Sequence, residues 1–214
     1  MSTSIDTALV LTDPQTTSSA KAASRGNSSG AASRRTARSK TSRGCCRARR
    51  RAGRLFVSPH YYHPQDHRWQ FGGTLEQKMH EIGMFDRKDP LSLDGFAGSG
   101  ADWLDQYKPY LNDGETVIAS PHKVYGPQNN DLGLQLRKRR IQRVLLAGMS
   151  ANLCVESHLR HLLEQGFEVS VVADATAAAQ HPELGDGYAA ALTNFRYIAS
   201  DVLSTDDAAK ELSR

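Results

Sequence analysis

Short apolar runs recur along the chain, each closed by turn residues. Residues 8–11 (Ala-Leu-Val-Leu) end in Thr12-Asp13-Pro14, residues 55–57 (Leu-Phe-Val) in Ser58-Pro59, and residues 116–119 again in Ser-Pro. Residues 144–148 and 167–173 form two further runs, and residues 196–203 a weaker one. Such runs read as strands buried on both faces. Between them the apolar spacing is helical, predicting helices over 74–81, 100–107, 130–140, 152–165, 181–194 and 206–212. Gly166 stops the fourth of these, and Pro182 suits the first turn of the fifth. Strands alternating with helices predict a three-layer α/β/α, Rossmann-like architecture with a mostly parallel central sheet of about six strands.

In open sheets of this kind the site lies at the carboxyl ends of the strands. Asp13 follows the first strand, His60 the second, His122 and Lys123 the third, and Ser150 to Cys154 the fourth. Cys154 falls in the first turn of a helix, where unpaired N–H groups and the helix dipole favour a thiolate and can hold an oxyanion. A buried packing cysteine is the competing reading. His60, His63, Asp66 and His67 are spaced closely enough to suggest a metal, but Tyr61, Tyr62, Pro64 and Trp69 are interleaved and read equally as an aromatic substrate loop.

Composition divides the chain in two. Its 214 residues carry a formal charge of +4 and a pI near 9.0. Residues 16–54 hold 12 Lys or Arg, no Asp or Glu, and no Val, Ile, Leu, Met, Phe, Trp or Tyr, so the rest of the chain carries +4 − 12 = −8. The basic segment cannot bury enough apolar surface to order itself. It can be read as a polyanion-binding tail, as a transit peptide, or as coding read out of frame. No aromatic residue is interleaved for base stacking, so sequence readout of a nucleic acid is not expected. No apolar run approaches 18 residues, which excludes a transmembrane helix.

The run Gly148-Met149-Ser150-Ala151-Asn152-Leu153-Cys154-Val155-Glu156-Ser157 resembles the nucleophile motif of the isochorismatase-like cysteine hydrolases. Residues 7–15, ending Asp13-Pro14-Gln15, resemble that family's first strand and D-x-Q turn. The resemblance covers residues 7–15 and about 55–205 and implies a single hydrolase domain over 1–214. It implies a Cys–Asp–Lys triad of Cys154 as nucleophile, Asp13 as base and Lys123. The Lys123 to Asn130 spacing is shorter than the family's usual one. It also implies an oxyanion hole from the backbone N–H groups of Ala151 and Cys154, and a cis peptide bond before Ala151. The substrate expected is a small amide or an isochorismate-like enol ether, with no cofactor and no metal. The expected setting is a cytoplasmic homo-oligomer with neither membrane nor nucleic acid as partner. The alternative is a catalytically silent fold with a basic tail that binds polyanions.

Relatives commonly follow D-x-Q with Asn-Asp-Phe. Asn-Asp codons read one base later encode Thr-Thr, as at Thr16-Thr17, and Leu-Leu codons read likewise encode Cys-Cys, as at Cys45-Cys46. The segment has the length of the family's first crossover helix with the wrong composition. It therefore reads as a shift of frame after Gln15, restored near residues 51–54.

Overall fold

The predicted strands pair in one sheet of the computed structural model, which describes residues 6–15, 46, 54–69 and 72–213. In chain order these are β1 (Thr7–Thr12), β2 (Arg54–Ser58), α1 (Thr74–Glu81), α2 (Lys108–Leu111), β3 (Val117–Ile118) and α3 (Leu132–Lys138). They continue with β4 (Arg143–Met149), a π-helical turn (Ala151–Val155), α4 (Glu156–Glu164) and β5 (Glu168–Ala177). The short strands β6 (Gln180–His181) and β7 (Gly185–Asp186) precede α5 (Gly187–Ile198), β8 (Asp201–Leu203) and α6 (Thr205–Leu212). Apart from residues 46 and 54, the basic segment predicted to be unstructured lies outside the described residues.

The sheet order is β3-β2-β1-β4-β5-β8, and every neighbouring pair is parallel. Alternation along each strand sends side chains to two apolar layers. Ala8, Val10, Phe56, Val144 and Leu146 pack with Leu136, Leu159, Leu162 and Phe195 of α3, α4 and α5. Leu9, Leu11, Leu55, Val57, Leu145 and Ala147 pack on the other face with Tyr107, Leu111, Ala208 and Leu212. This is the predicted three-layer architecture. No helix among the described residues is long and apolar enough to cross a membrane.

Two predicted helices begin elsewhere. Residues 100–107 form turns, because the Asp102 carboxylate accepts from the N–H groups of Gly98 (2.8 Å) and Trp103 (2.7 Å) and from Lys108 Nζ (3.2 Å). The helix starts only at Lys108. Residues 180–186 make the β6–β7 hairpin, so the next helix starts at Gly187 rather than near Pro182. The Asp186 carboxylate caps it, accepting from Tyr188 N (2.9 Å) and Ala189 N (3.2 Å), which outcompetes a proline start.

The chain moves from β1 outward to β2 and β3, then returns to the other side of β1 with β4. The sheet order therefore reverses between β1 and β4, the place where open α/β sheets open a ligand crevice. Gly148 lets the two strands approach. Its φ is +123°, and a Cβ there would lie 2.2 Å from Thr12 O. Thr12 Oγ1 donates to Ala147 O (3.1 Å) and ties the ends together. The cis peptide bond is Met149–Ser150, one bond before the position the resemblance implied.

Candidate active site

Asp13 leaves β1 with φ +49°, a left-handed conformation that Asp tolerates better than most side chains. Its N–H donates to Ser58 O (3.1 Å), which carries the turn across to β2. Two residues on, the buried Gln15 side chain holds the second strand's exit in place. Its Oε1 accepts from His60 N (2.9 Å), and its Nε2 donates to His60 O (2.6 Å) and Ala101 O (3.1 Å). The D-x-Q turn thus supplies one charged group and one clamp.

Beyond β4, the π-helical turn widens the entry into α4. Val155 N bonds back five residues to Ser150 O (3.1 Å), and Leu153 N also reaches Ser150 O (3.0 Å). Ala151 and Cys154, whose N–H groups were predicted to hold an oxyanion, both lie on this turn and are buried. Cys154 Sγ is 3.9 Å from Val124 O. Burial pushes the Cys154 thiol well up. The Asp13 carboxylate raises it further by charge and by a hydrogen bond, against the N–H groups of Ser150 and Cys154. The helix-start effect that favours a thiolate is outweighed, and the resting group is a thiol paired with Asp13.

Donor atoms of Asp13, His60, His122 and Cys154, one from each, lie within 4.8 Å of one another, and all four residues are buried. The His122 ring donates from Nε2 to Asp13 Oδ1 (2.9 Å). Lys123 is turned the other way. Its Nζ donates to Asp66 Oδ2 (2.6 Å) and Tyr61 O (3.3 Å). Burial pushes the Asp66 carboxyl up, but Lys123 and the N–H of His63 together pull it below the usual range. The structure therefore brings Asp13 and Cys154 together, with His122 rather than Lys123 at the carboxylate.

His60, His63, Asp66 and His67 do not converge. His60 stacks on Phe85 (4.3 Å between ring centroids) and donates from Nε2 to Lys123 O. Asp66 holds Lys123, and His67 Nε2 pairs with Asp86 Oδ1 (3.0 Å).

One buried group was missed in the sequence. His158 lies one helical turn beyond Cys154, a spacing that stacks the two on one face. Its Nδ1 donates to Cys154 O (2.6 Å), which leaves Nε2 to accept from Ser58 Oγ (2.7 Å). Asn130 Nδ2 donates in turn to Ser58 Oγ (2.9 Å). Burial, with the charge of nearby His122, holds His158 down at about 3, so it is neutral.

A family model described as the isochorismatase domain matches residues 7–207. The chain belongs to the isochorismatase family. Among curated proteins it is 35% identical over 101 residues to the ureidoacrylate amidohydrolase RutB of Methylorubrum extorquens, a match taking in 44% of this chain and 40% of that one. The match thus spans about two fifths of that relative's length. Among solved structures, a cysteine hydrolase from Pseudomonas syringae pv. phaseolicola 1448A superposes with a TM-score of 0.73 at 20% identity, covering 96% of this chain and 92% of that one. The N-carbamoylsarcosine amidase from Thermoplasma acidophilum superposes at 0.64 with 18% identity, covering 94% and 98%. At these identities the superpositions establish a shared fold.

Proposed function

We propose that the chain is a cysteine hydrolase that cleaves a small amide. The observation that carries this is the buried pairing of Cys154 with Asp13 at the β1/β4 reversal, beside a turn of backbone N–H groups. Cys154 Sγ attacks the amide carbonyl while Asp13 takes the thiol proton. The N–H groups of Ala151 and Cys154 receive the oxyanion, and one oxyanion-hole donor contributes roughly 3–4 kcal/mol where acyl-transfer enzymes have been dissected. Asp13 then hands the proton to the leaving nitrogen, giving a thioester and free amine. Water, deprotonated by Asp13, attacks the thioester and releases the acid and the thiol.

In this reading His122 takes the position beside Asp13 for which Lys123 was expected. Its Nε2–H holds the carboxylate in place and offsets its charge. Lys123, one residue further on, is a charged group tethered by Asp66. The RutB relative is named an amidohydrolase and the Thermoplasma structure an amidase, which favours an amide over an enol ether. Cytoplasmic residence and self-association belong to this reading on the family resemblance alone.

The test is a screen of small amides and ureido compounds with the full chain, Cys154→Ser serving as control. Turnover that vanishes in the variant is expected. No turnover, together with no electrophile labelling of Cys154, sinks the reading. Salt-dependent DNA binding that disappears on deleting residues 16–54 would then favour the silent, polyanion-binding alternative.

A further inference from the structure

We infer that Asp13, His60, His122 and Cys154 form a binding site for a zinc-like divalent ion, which acts there as an inhibitor rather than a cofactor. A thiol, two imidazoles and a carboxylate are a donor set suited to zinc. The four donor atoms already lie within 4.8 Å of one another, in side chains removed from solvent. Tetrahedral coordination at about 2.0–2.3 Å sets ligand edges of about 3.3–3.8 Å. The longest edge therefore closes by about 1 Å on binding.

A second observation points to the same ligand. His60 and His122 are both 0% exposed, and among the described residues the Nδ1 of each is buried with no hydrogen-bond partner. His60 Nε2 is engaged with the Lys123 carbonyl, which leaves Nδ1 as its ligating nitrogen, whereas His122 faces Asp13 through Nε2 and ligates from that nitrogen in exchange for the hydrogen bond. A neutral imidazole that donates from one nitrogen offers a lone pair at the other. A backbone carbonyl on the far nitrogen is also the usual way a ligating histidine is oriented. This set shares only His60 with the His60, His63, Asp66 and His67 run, whose members the structure separates.

The charges balance. The bound ion takes the Cys154 sulfur as thiolate, and the thiol proton leaves to solvent. Thiolate and carboxylate together offset the two positive charges, and each histidine ligates as the neutral imidazole, any ring proton it gives up leaving to solvent. No electron is transferred. The consequence for activity rests on the proposed function, because the ion occupies both the nucleophile and its base. The binding itself does not rest on it.

The experiment uses the full chain, stripped with a chelator and titrated with Co(II) and then Zn(II). One equivalent of Co(II) is expected to give a thiolate-to-cobalt charge-transfer band, which Zn(II) displaces. Cys154→Ser is expected to lack that band. His60→Ala is expected to bind at least about 100-fold more weakly, the upper end of what losing even an outer-shell partner costs. Circular dichroism establishes that each variant is folded. A second readout needs no variant: saturating Zn(II) is expected to protect Cys154 of the unaltered chain from alkylation, read by peptide mass spectrometry. Cobalt binding without the band, or alkylation of Cys154 at an unchanged rate under zinc, overturns the site. A cobalt band in a chain that hydrolyses no amide overturns the hydrolase reading and leaves the site standing.

Discussion

His122 Nε2 lies 2.9 Å from Asp13 Oδ1, and neither side chain is more than 1% exposed. The neighbouring Lys123 instead reaches Asp66 Oδ2 at 2.6 Å. Adjacent residues on one loop point apart, so the group completing the Asp13–Cys154 pair is decided by the direction of the chain after Ser120-Pro121. The bridge between His60 and His122, and the bond from His122 N to Pro59 O (2.9 Å), fix that direction.

The two candidates for the third member separate experimentally. Replacing His122 by Leu removes the donor at Asp13, and kcat for the best amide in the screen is expected to fall by on the order of 100-fold, the lower range of general acid–base contributions. Replacing Lys123 by Met is expected to change kcat by less than about tenfold and to act mainly on KM. Steady-state kinetics on both variants decides the matter. A Lys123 variant that loses kcat while His122→Leu keeps it would return the triad to Lys123.

Gly148 carries the closeness of β1 and β4. In Gly148→Ala the new Cβ meets Thr12 O at 2.2 Å and Thr12 Oγ1 at 2.4 Å, at a φ of +123° that L side chains rarely adopt. Backbone displacement and conformational strain together cost about 2–6 kcal/mol. At about 2–4 °C per kcal/mol for a chain of this size, Tm is expected to fall by about 4–24 °C. A thermal melt within 2 °C of the parent (roughly 0.5–1 kcal/mol on the same scale) refutes the tight approach.

The strands and their order of use were legible because a fully buried parallel strand leaves a short apolar run between turn residues. Asp13 and Cys154 followed from the rule that places sites at strand ends, joined to the family motif. Less legible were features decided by side chains that compete with the backbone. Asp102 and Asp186 shifted two helix starts, and nothing in the apolar spacing marks where a carboxylate will capture N–H groups. The pairing of His122 with Asp13, and His158 altogether, were obscured for a related reason. Their roles depend on contacts with Asp13 and Ser58, 109 and 100 residues away in sequence, and periodicity carries no such long-range pairing.

His158 gives a pH prediction for the chelator-treated protein. Burial, joined by the charge of His122, lowers its pKa from 6.5 to about 3, so the folded chain keeps it neutral. The unfolded chain protonates it below its ordinary value and so binds one more proton. Its contribution to stability is present above about 6.5 and is lost as pH falls toward about 3. One proton corresponds to a slope of about 1.4 kcal/mol per pH unit in that window. In His158→Leu that share of the slope is expected to vanish. The variant is also expected to be less stable at pH 8, by about 1–3 kcal/mol for each of Ser58 Oγ and Cys154 O left without its partner. Denaturant melts at pH 5 and pH 8 measure both effects, and an unchanged slope refutes the neutral buried histidine.

Cys46 tests the origin of the basic segment. It is 0% exposed and packs in the apolar layer with Leu9, Leu55, Val57 and Tyr107. That layer is the one a first crossover helix would cover, and Leu codons read one base later encode Cys. We propose that Cys46 stands where an in-frame chain has Leu. Cys46→Leu alone is then expected to raise stability by about 1 kcal/mol, the scale of one or two more buried methylene-sized groups. Restoring the whole segment to its alternative frame is expected to do much more, through the apolar area it returns to that face. Soluble yield and Tm of the parent, the single variant and the reframed chain provide the comparison. A parent that is soluble and melts cooperatively, together with a reframed chain that melts no higher, defeats the frame-shift reading.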